Sequence, residues 1–183
     1  MEIELTVGGP THGETLETDG TPGELDVFFA VDTTASFDGE IDALQSGLTE
    51  TVIPELQDRV EDTAFGVGRF EDFPTAPFGE DPDRPFTLLT PITTRTSAVE
   101  SAVASLDSPL GNGGDVRESW AEALYQIATG LGYRDAGQTL VAEYDGSAAH
   151  GGGTIGGVGF REQSFPVVVL ITDAPTHDSE DYD

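Results

Sequence analysis

Leu25-Asp-Val-Phe-Phe-Ala-Val31, running straight into Asp32-Thr-Thr-Ala-Ser36, is the stretch on which the fold turns. Its one polar interruption is Asp26, so it has no polar face to offer solvent, the pattern of a parallel strand buried on both sides. It stops at a carboxylate followed by small hydroxyl residues, which predicts a tight polar loop. What comes next is helical in period. Ile41, Leu44, Leu48, Val52, Leu56 and Val60 recur at threes and fours and share one face. Asp38, Glu40 and Asp42 suit the first turn, where unpaired N–H groups favour negative charge. Pro54 lies inside the pattern and predicts a kink or break, because it lacks an N–H and its ring crowds the preceding turn.

Working outward, Val167-Val-Val-Leu-Ile171 is a second buried-strand run, and it too ends in a carboxylate loop, Thr172-Asp173-Ala-Pro175. Between the two lie a strand over Ala64–Phe70, a turn-rich loop from Glu71 to Pro85, and an edge strand over Phe86–Leu89. Ser97-Ala-Val-Glu100 has the spacing of a capping box and opens a short helix through Leu106. A longer helix is expected from about Val116 to Leu131, with Trp120, Leu124, Ile127 and Leu131 on one face and Gly130 and Gly132 as stop signals. Residues 133–164 read as a Gly-rich insertion. Residues 1–24 form an N-terminal strand (Ile3, Leu5, Val7) and a connector, and residues 25–183 the main domain. Alternating strands and helices predict an α/β fold, mostly parallel, with helices on both faces of the sheet. In such sheets ligands bind beyond the carboxyl ends of the strands.

The bulk composition narrows the chemistry. The chain has 183 residues, no cysteine and no lysine, and 35 acidic residues against 7 arginines give a formal charge of -28. Thiolate metal sites and disulfides are excluded. Nucleic acid and anionic membrane surfaces are disfavoured as partners by the charge. No signal peptide is visible in Met1-Glu-Ile-Glu4, and no apolar run is long enough to span a membrane. Any metal must be held by oxygen or imidazole, and oxygen ligands suit hard cations.

Those oxygens converge. If the two strands are neighbours, Asp32 and Asp173 emerge on one edge of the sheet. Thr34 and Ser36 follow Asp32 at alternate positions and can turn their hydroxyls to the same point. Asp115, in Gly113-Gly-Asp115 ahead of a helix, can add another carboxylate. Such an incomplete oxygen shell suits Mg²⁺, with Mn²⁺ or Ca²⁺ as alternatives, and a remaining position open to water or a partner.

Asp32-Thr-Thr-Ala-Ser36 resembles the Asp-x-Ser/Thr-x-Ser motif of the metal ion-dependent adhesion site in von Willebrand factor A domains. Ile171-Thr-Asp-Ala-Pro175 is similar to that family's third metal loop, and Gly113-Gly-Asp-Val-Arg-Glu118 to a bacterial variant of its second. The resemblance covers about residues 25–177 and extends more distantly to integrin β I-like domains. It implies a doubly wound sheet with the ion at its top and a role in adhesion or protein assembly. It also implies metal ligation by Asp32, Thr34, Ser36, Asp115 and Asp173, and a protein partner presenting a carboxylate. An extracellular or cell-surface setting goes with it. Two departures stand out. Asp115 occupies a position where many members have threonine, which adds negative charge. The family sheet also continues past the Thr-Asp-Ala-Pro loop, whereas only ten residues follow Asp173. The expectation is a sheet truncated after its fourth core strand, continued in a longer protein or completed by another chain.

Simpler readings stand beside these. Asp115 with Glu118 three residues on is also an ordinary helix N-terminal box, and Ser36 or Asp38 can serve only as a cap. His150 and His177 read as surface residues, or as supports behind the ligands, more than as ligands, since oxygen-rich sites suit hard ions. Gly151-Gly-Gly-Thr-Ile-Gly156 matches a dinucleotide glycine pattern but precedes a strand, so it is a loop. The acidic run 178–183 reads as a solvated terminus. Two alternatives to a binding module remain. One is a metal-dependent hydrolase, or a haloacid-dehalogenase-type phosphotransferase, although the latter's second aspartate is Thr34 here and its lysine is missing. The other is a structural module whose site stays empty.

Overall fold

The structure, a computed structural model, describes residues 23–107, 109–146 and 151–177, the side chain of Asp38 excepted. The expected strand at residues 3–7, His150 and the acidic run 178–183 lie outside the described residues. The sequence run becomes β1, Glu24–Asp32, and its pairing fixes the rest. β1 lies between β2 (Asp62–Phe70) and β6 (Phe165–Ile171), parallel to both, and β3 (Thr87–Thr93) adds antiparallel to β2. The order is β3-β2-β1-β6, a mixed and mostly parallel four-stranded sheet. In register Val31 pairs with Ile171, so Asp32 and Thr172 leave the sheet side by side.

Alternation along β1 splits the core in two. Val27, Phe29 and Val31 face Ile41 of α1 (Asp38–Gly47), Ile53 of α2 (Ile53–Arg59) and Val99 and Val103 of α3 (Thr96–Val103). Phe28 and Ala30 face Ala123 and Ile127 of α4 (Trp120–Thr129), with Val158 and Phe160 of the insertion. Helices thus cover both faces of the sheet. Phe28 is fully buried, and deleting its ring is expected to cost about 3–5 kcal/mol. β4 (Tyr133–Asp135) and β5 (Gln138–Val141) form a separate hairpin within the insertion.

Several boundaries differ from expectation, each for a local reason. At Pro54 the α-helix is interrupted: Leu48–Val52 forms a π-helical turn just ahead of it, and Pro54 lies in the first turn of α2. β3 runs past Leu89 through Pro91 to Thr93, which an edge strand tolerates. On its outer side Ile92 N–H donates to the carbonyl of Val158. The box at Ser97–Glu100 is not formed: α3 starts at Thr96 without a side-chain cap. The helix expected from Val116 begins only at Trp120 and ends at Gly130, which adopts the left-handed conformation (φ 66°). The outer edge of β6 has no strand partner among the described residues, and Phe165 and Val168 are exposed there.

Candidate metal centre

Beyond the carboxyl ends of β1 and β6 the chain turns sharply three times, and hydroxyl groups tie the turns together. Asp32 is fully buried. Its Oδ1 accepts from Thr34 N (3.0 Å) and Thr34 Oγ1 (2.7 Å), and its Oδ2 accepts from Thr172 Oγ1 (2.7 Å). Thr34 Oγ1 lies 3.1 Å from Ser36 Oγ, which donates to Asp173 Oδ1 at 3.4 Å. Asp32, Thr34, Ser36 and Asp173 are therefore one connected group. Asp115 lines the same cleft, a cavity of about 240 Å³ walled by Thr34, Ser36, Asn112, Glu118 and Asp173. It is exposed, and its Oδ1 accepts from Arg117 N (2.7 Å), so it shapes its own turn instead of capping a helix.

The residue that sequence reasoning missed is Glu118. Read as the far end of a capping box, it should project along a first helical turn. Instead the helix has not begun at 116–119: Glu118 forms an isolated parallel bridge with Thr176, is 4% exposed and lines the cleft. Main-chain bonds hold it there: its N–H donates to Pro175 O (2.9 Å), and its carbonyl accepts from His177 N (3.3 Å). Among the described residues its Oε2 is buried without a hydrogen-bond partner. Burial, reinforced by the charges of Asp32, Asp72 and Asp115, pushes its carboxyl up to about 9 despite a bond to Thr34.

Two more buried groups border the cleft. Asp72, fully buried, accepts from Ser119 Oγ and lies 3.0 Å from His177 Nε2. Burial raises its carboxyl above the ordinary range, against the bonds from Ser119 and His177. Asp72, Asp115 and His177 each present a ligand atom, all within 4.8 Å of one another, and could hold a metal ion. His177 is thus buried against Asp72 and is not a surface residue. The loop from β2 to β3 supplies Glu71, also raised by burial, whose carboxylate accepts from Thr33 Oγ1 (2.6 Å) and Arg84 N (3.0 Å).

Chemically, the cleft is a concentration of carboxylate and hydroxyl oxygens, a donor set that could hold a hard cation. Among the described residues no helix is long and apolar enough to cross a membrane. In comparisons with known proteins, no family model matches the chain, and no curated protein does.

Proposed function

We propose that the chain is a binding module of the von Willebrand factor A type, with a divalent cation in the cleft and a protein partner meeting that cation. Mg²⁺ is the first choice, with Mn²⁺ or Ca²⁺ as alternatives, because the donors are hard oxygens. The observation that carries this reading is Glu118: a buried carboxylate oxygen without a hydrogen-bond partner among the described residues, beside Asp32, Thr34, Ser36, Asp115 and Asp173. Leaving a polar atom bare in the interior is costly, and a metal ion is the ligand that such a set of oxygens satisfies. Glu118 joins the five residues named from sequence as a ligand candidate.

In this reading the four strands belong to a doubly wound sheet with the ion beyond its carboxyl edge. Val116, 81% exposed at the cleft rim, offers a partner an apolar contact beside the ion. The resemblance favours a carboxylate-bearing partner at a cell surface, although each acidic ligand weakens the pull of the ion on a further anion. The role is binding and not catalysis: Thr34 stands where a phosphotransferase of the dehalogenase type needs an aspartate, and the chain has no lysine. A second reading, favoured by the imidazole, puts the ion between Asp72, Asp115 and His177, where a borderline metal would be preferred.

Titration calorimetry with Mg²⁺, Mn²⁺ and Ca²⁺ on the wild type, Asp173→Ala and His177→Ala separates these readings. Saturable binding lost in Asp173→Ala supports the first. Binding that survives Asp173→Ala and disappears in His177→Ala supports the second. Turnover of a generic phosphate ester by the loaded protein would favour the hydrolase instead.

A further inference from the structure

The loop between β2 and β3 contributes none of the ligand candidates of the first reading, yet it touches all three loops that do. Glu71 takes the hydroxyl of Thr33 in the first loop. Asp72 takes Ser119 Oγ at the end of the second loop and faces His177 in the third, against which Phe78 packs edge-on (centroids 4.9 Å apart). The most specific contact is made by Asp83, which is 1% exposed. Its Oδ1 accepts from Asn112 N (3.0 Å), and its Oδ2 from Gly113 N (3.2 Å) and from Glu80 N in its own loop (3.0 Å). Among the described residues this buried carboxylate is bonded only to main-chain N–H groups, so it reads no side-chain identity. It fixes where the backbone runs.

The segment it fixes carries Asp115 and Glu118. Its glycines let the two loops touch: a Cβ on Gly111 would lie 2.7 Å from Asp83 Oδ1, and one on Gly114 would lie 2.4 Å from Pro77 O and 2.8 Å from Phe78 O. The fit between the segment 111–114 and the loop 71–85 therefore leaves no slack. From this geometry, and resting on the metal-binding reading above, we infer that Asp83 is a positioning residue that clamps the second metal loop and thereby sets the size of ion the cleft prefers. Selectivity between Mg²⁺ and Ca²⁺ depends on cavity size and rigidity, since the smaller ion demands near-ideal geometry and the larger tolerates a loose shell. Removing the clamp leaves every ligand in place and loosens only their spacing.

The test compares wild type with Asp83→Asn, which has almost the same shape but turns an amide N–H₂ towards at least one of the donors that the carboxylate satisfied. Mg²⁺ and Ca²⁺ affinities are measured by calorimetry, with circular dichroism on the metal-free proteins as a check on folding. Gly114→Ala serves as a second variant, displacing the same segment through Pro77 and Phe78 without altering any carboxylate. Both variants should lose about tenfold or more in Mg²⁺ affinity, as groups that orient metal ligands do, while Ca²⁺ affinity falls less. The preference ratio then shifts towards Ca²⁺. Mere destabilisation would lower both affinities by one common factor. An unchanged ratio in both variants, on a wild type that binds, overturns the positioning role and leaves the metal site intact. A wild type that binds neither ion overturns the site itself and the clamp with it.

Discussion

β1 carries a buried aspartate at each end, and the molecule treats them in opposite ways. At the amino end, Asp26 is met by Arg161: Nε donates to Oδ1 (2.7 Å), and the Arg161 backbone N–H donates to Oδ2 (2.7 Å). Ser164 Oγ adds a bond to Asp26, and the same guanidinium pairs with Asp62 and reaches Leu25 O. The buried Asp26 is thus answered by a guanidinium, which the more exposed Asp62 and Glu24 share. At the carboxyl end Asp32 meets hydroxyls and one amide, and its charge, with those of Asp72 and Asp115, bears on the buried Glu118. Both aspartates are fully buried. The difference teaches that burial of a carboxylate is not in itself a functional signal. What marks the upper cluster is that, among the described residues, no arginine pairs with Asp32 or Glu118, and the Glu118 carboxyl is pushed towards its neutral form instead.

The largest effect should come from breaking the compensated end. Arg161→Ala strands Asp26 in the interior, and urea denaturation should show a loss of about 3–5 kcal/mol, the range for removing one partner of a buried pair. A loss below about 1 kcal/mol, typical of exposed pairs, would erase the contrast. The uncompensated end should respond to pH instead. The folded, metal-free protein keeps the Glu118 proton up to about 9, while the unfolded chain releases it near the ordinary 4.5. Its stability should therefore fall as pH rises between those values, by at most about 1.4 kcal/mol per pH unit from this group, and not vary on its account below 4.5. Glu118→Gln, in chelator, should flatten that slope. A smaller signal is the proton itself. At pH 7.5, Mg²⁺ binding should expel about one proton per ion, read by calorimetry in buffers of different ionisation enthalpy, and about none in Glu118→Gln. Asp173→Ala should do least to the metal-free fold, within about 0.5 kcal/mol, because the side chain is exposed and makes one long bond.

The two ends were not equally legible in the sequence. The apolar runs at Leu25–Val31 and Val167–Ile171 announced buried strands, and the aspartates ending them pointed to a shared edge, because strand periodicity is a local property. The connected group Asp32, Thr34, Ser36 and Asp173 followed from that reading. Glu118 was hidden by its spacing from Asp115, which mimics a helix start. What turns it inward is tertiary: Pro175 and His177 pair with its backbone, and Thr176 Oγ1 takes the Ala121 N–H at the helix start. Asp72, Asp83 and His177 carried no local signal, since nothing near them in sequence says that a proline-rich loop packs under the cleft. Arg161, in a glycine-rich insertion, likewise gave no hint that it neutralises a strand 135 positions earlier. Pro91 disguised the length of β3, because a proline argues against a strand unless the strand is known to be an edge.

The claim that a cation answers the upper carboxylates is tested most directly by following the urea midpoint against Mg²⁺ concentration, with ionic strength held constant by NaCl so that screening of the overall charge does not change. The wild type and Arg161→Ala should both gain stability, about 2.7 kcal/mol when free Mg²⁺ reaches a hundred times its dissociation constant, while Asp173→Ala and Glu118→Gln gain far less. A wild-type midpoint indifferent to Mg²⁺, Mn²⁺ and Ca²⁺ would contradict the account.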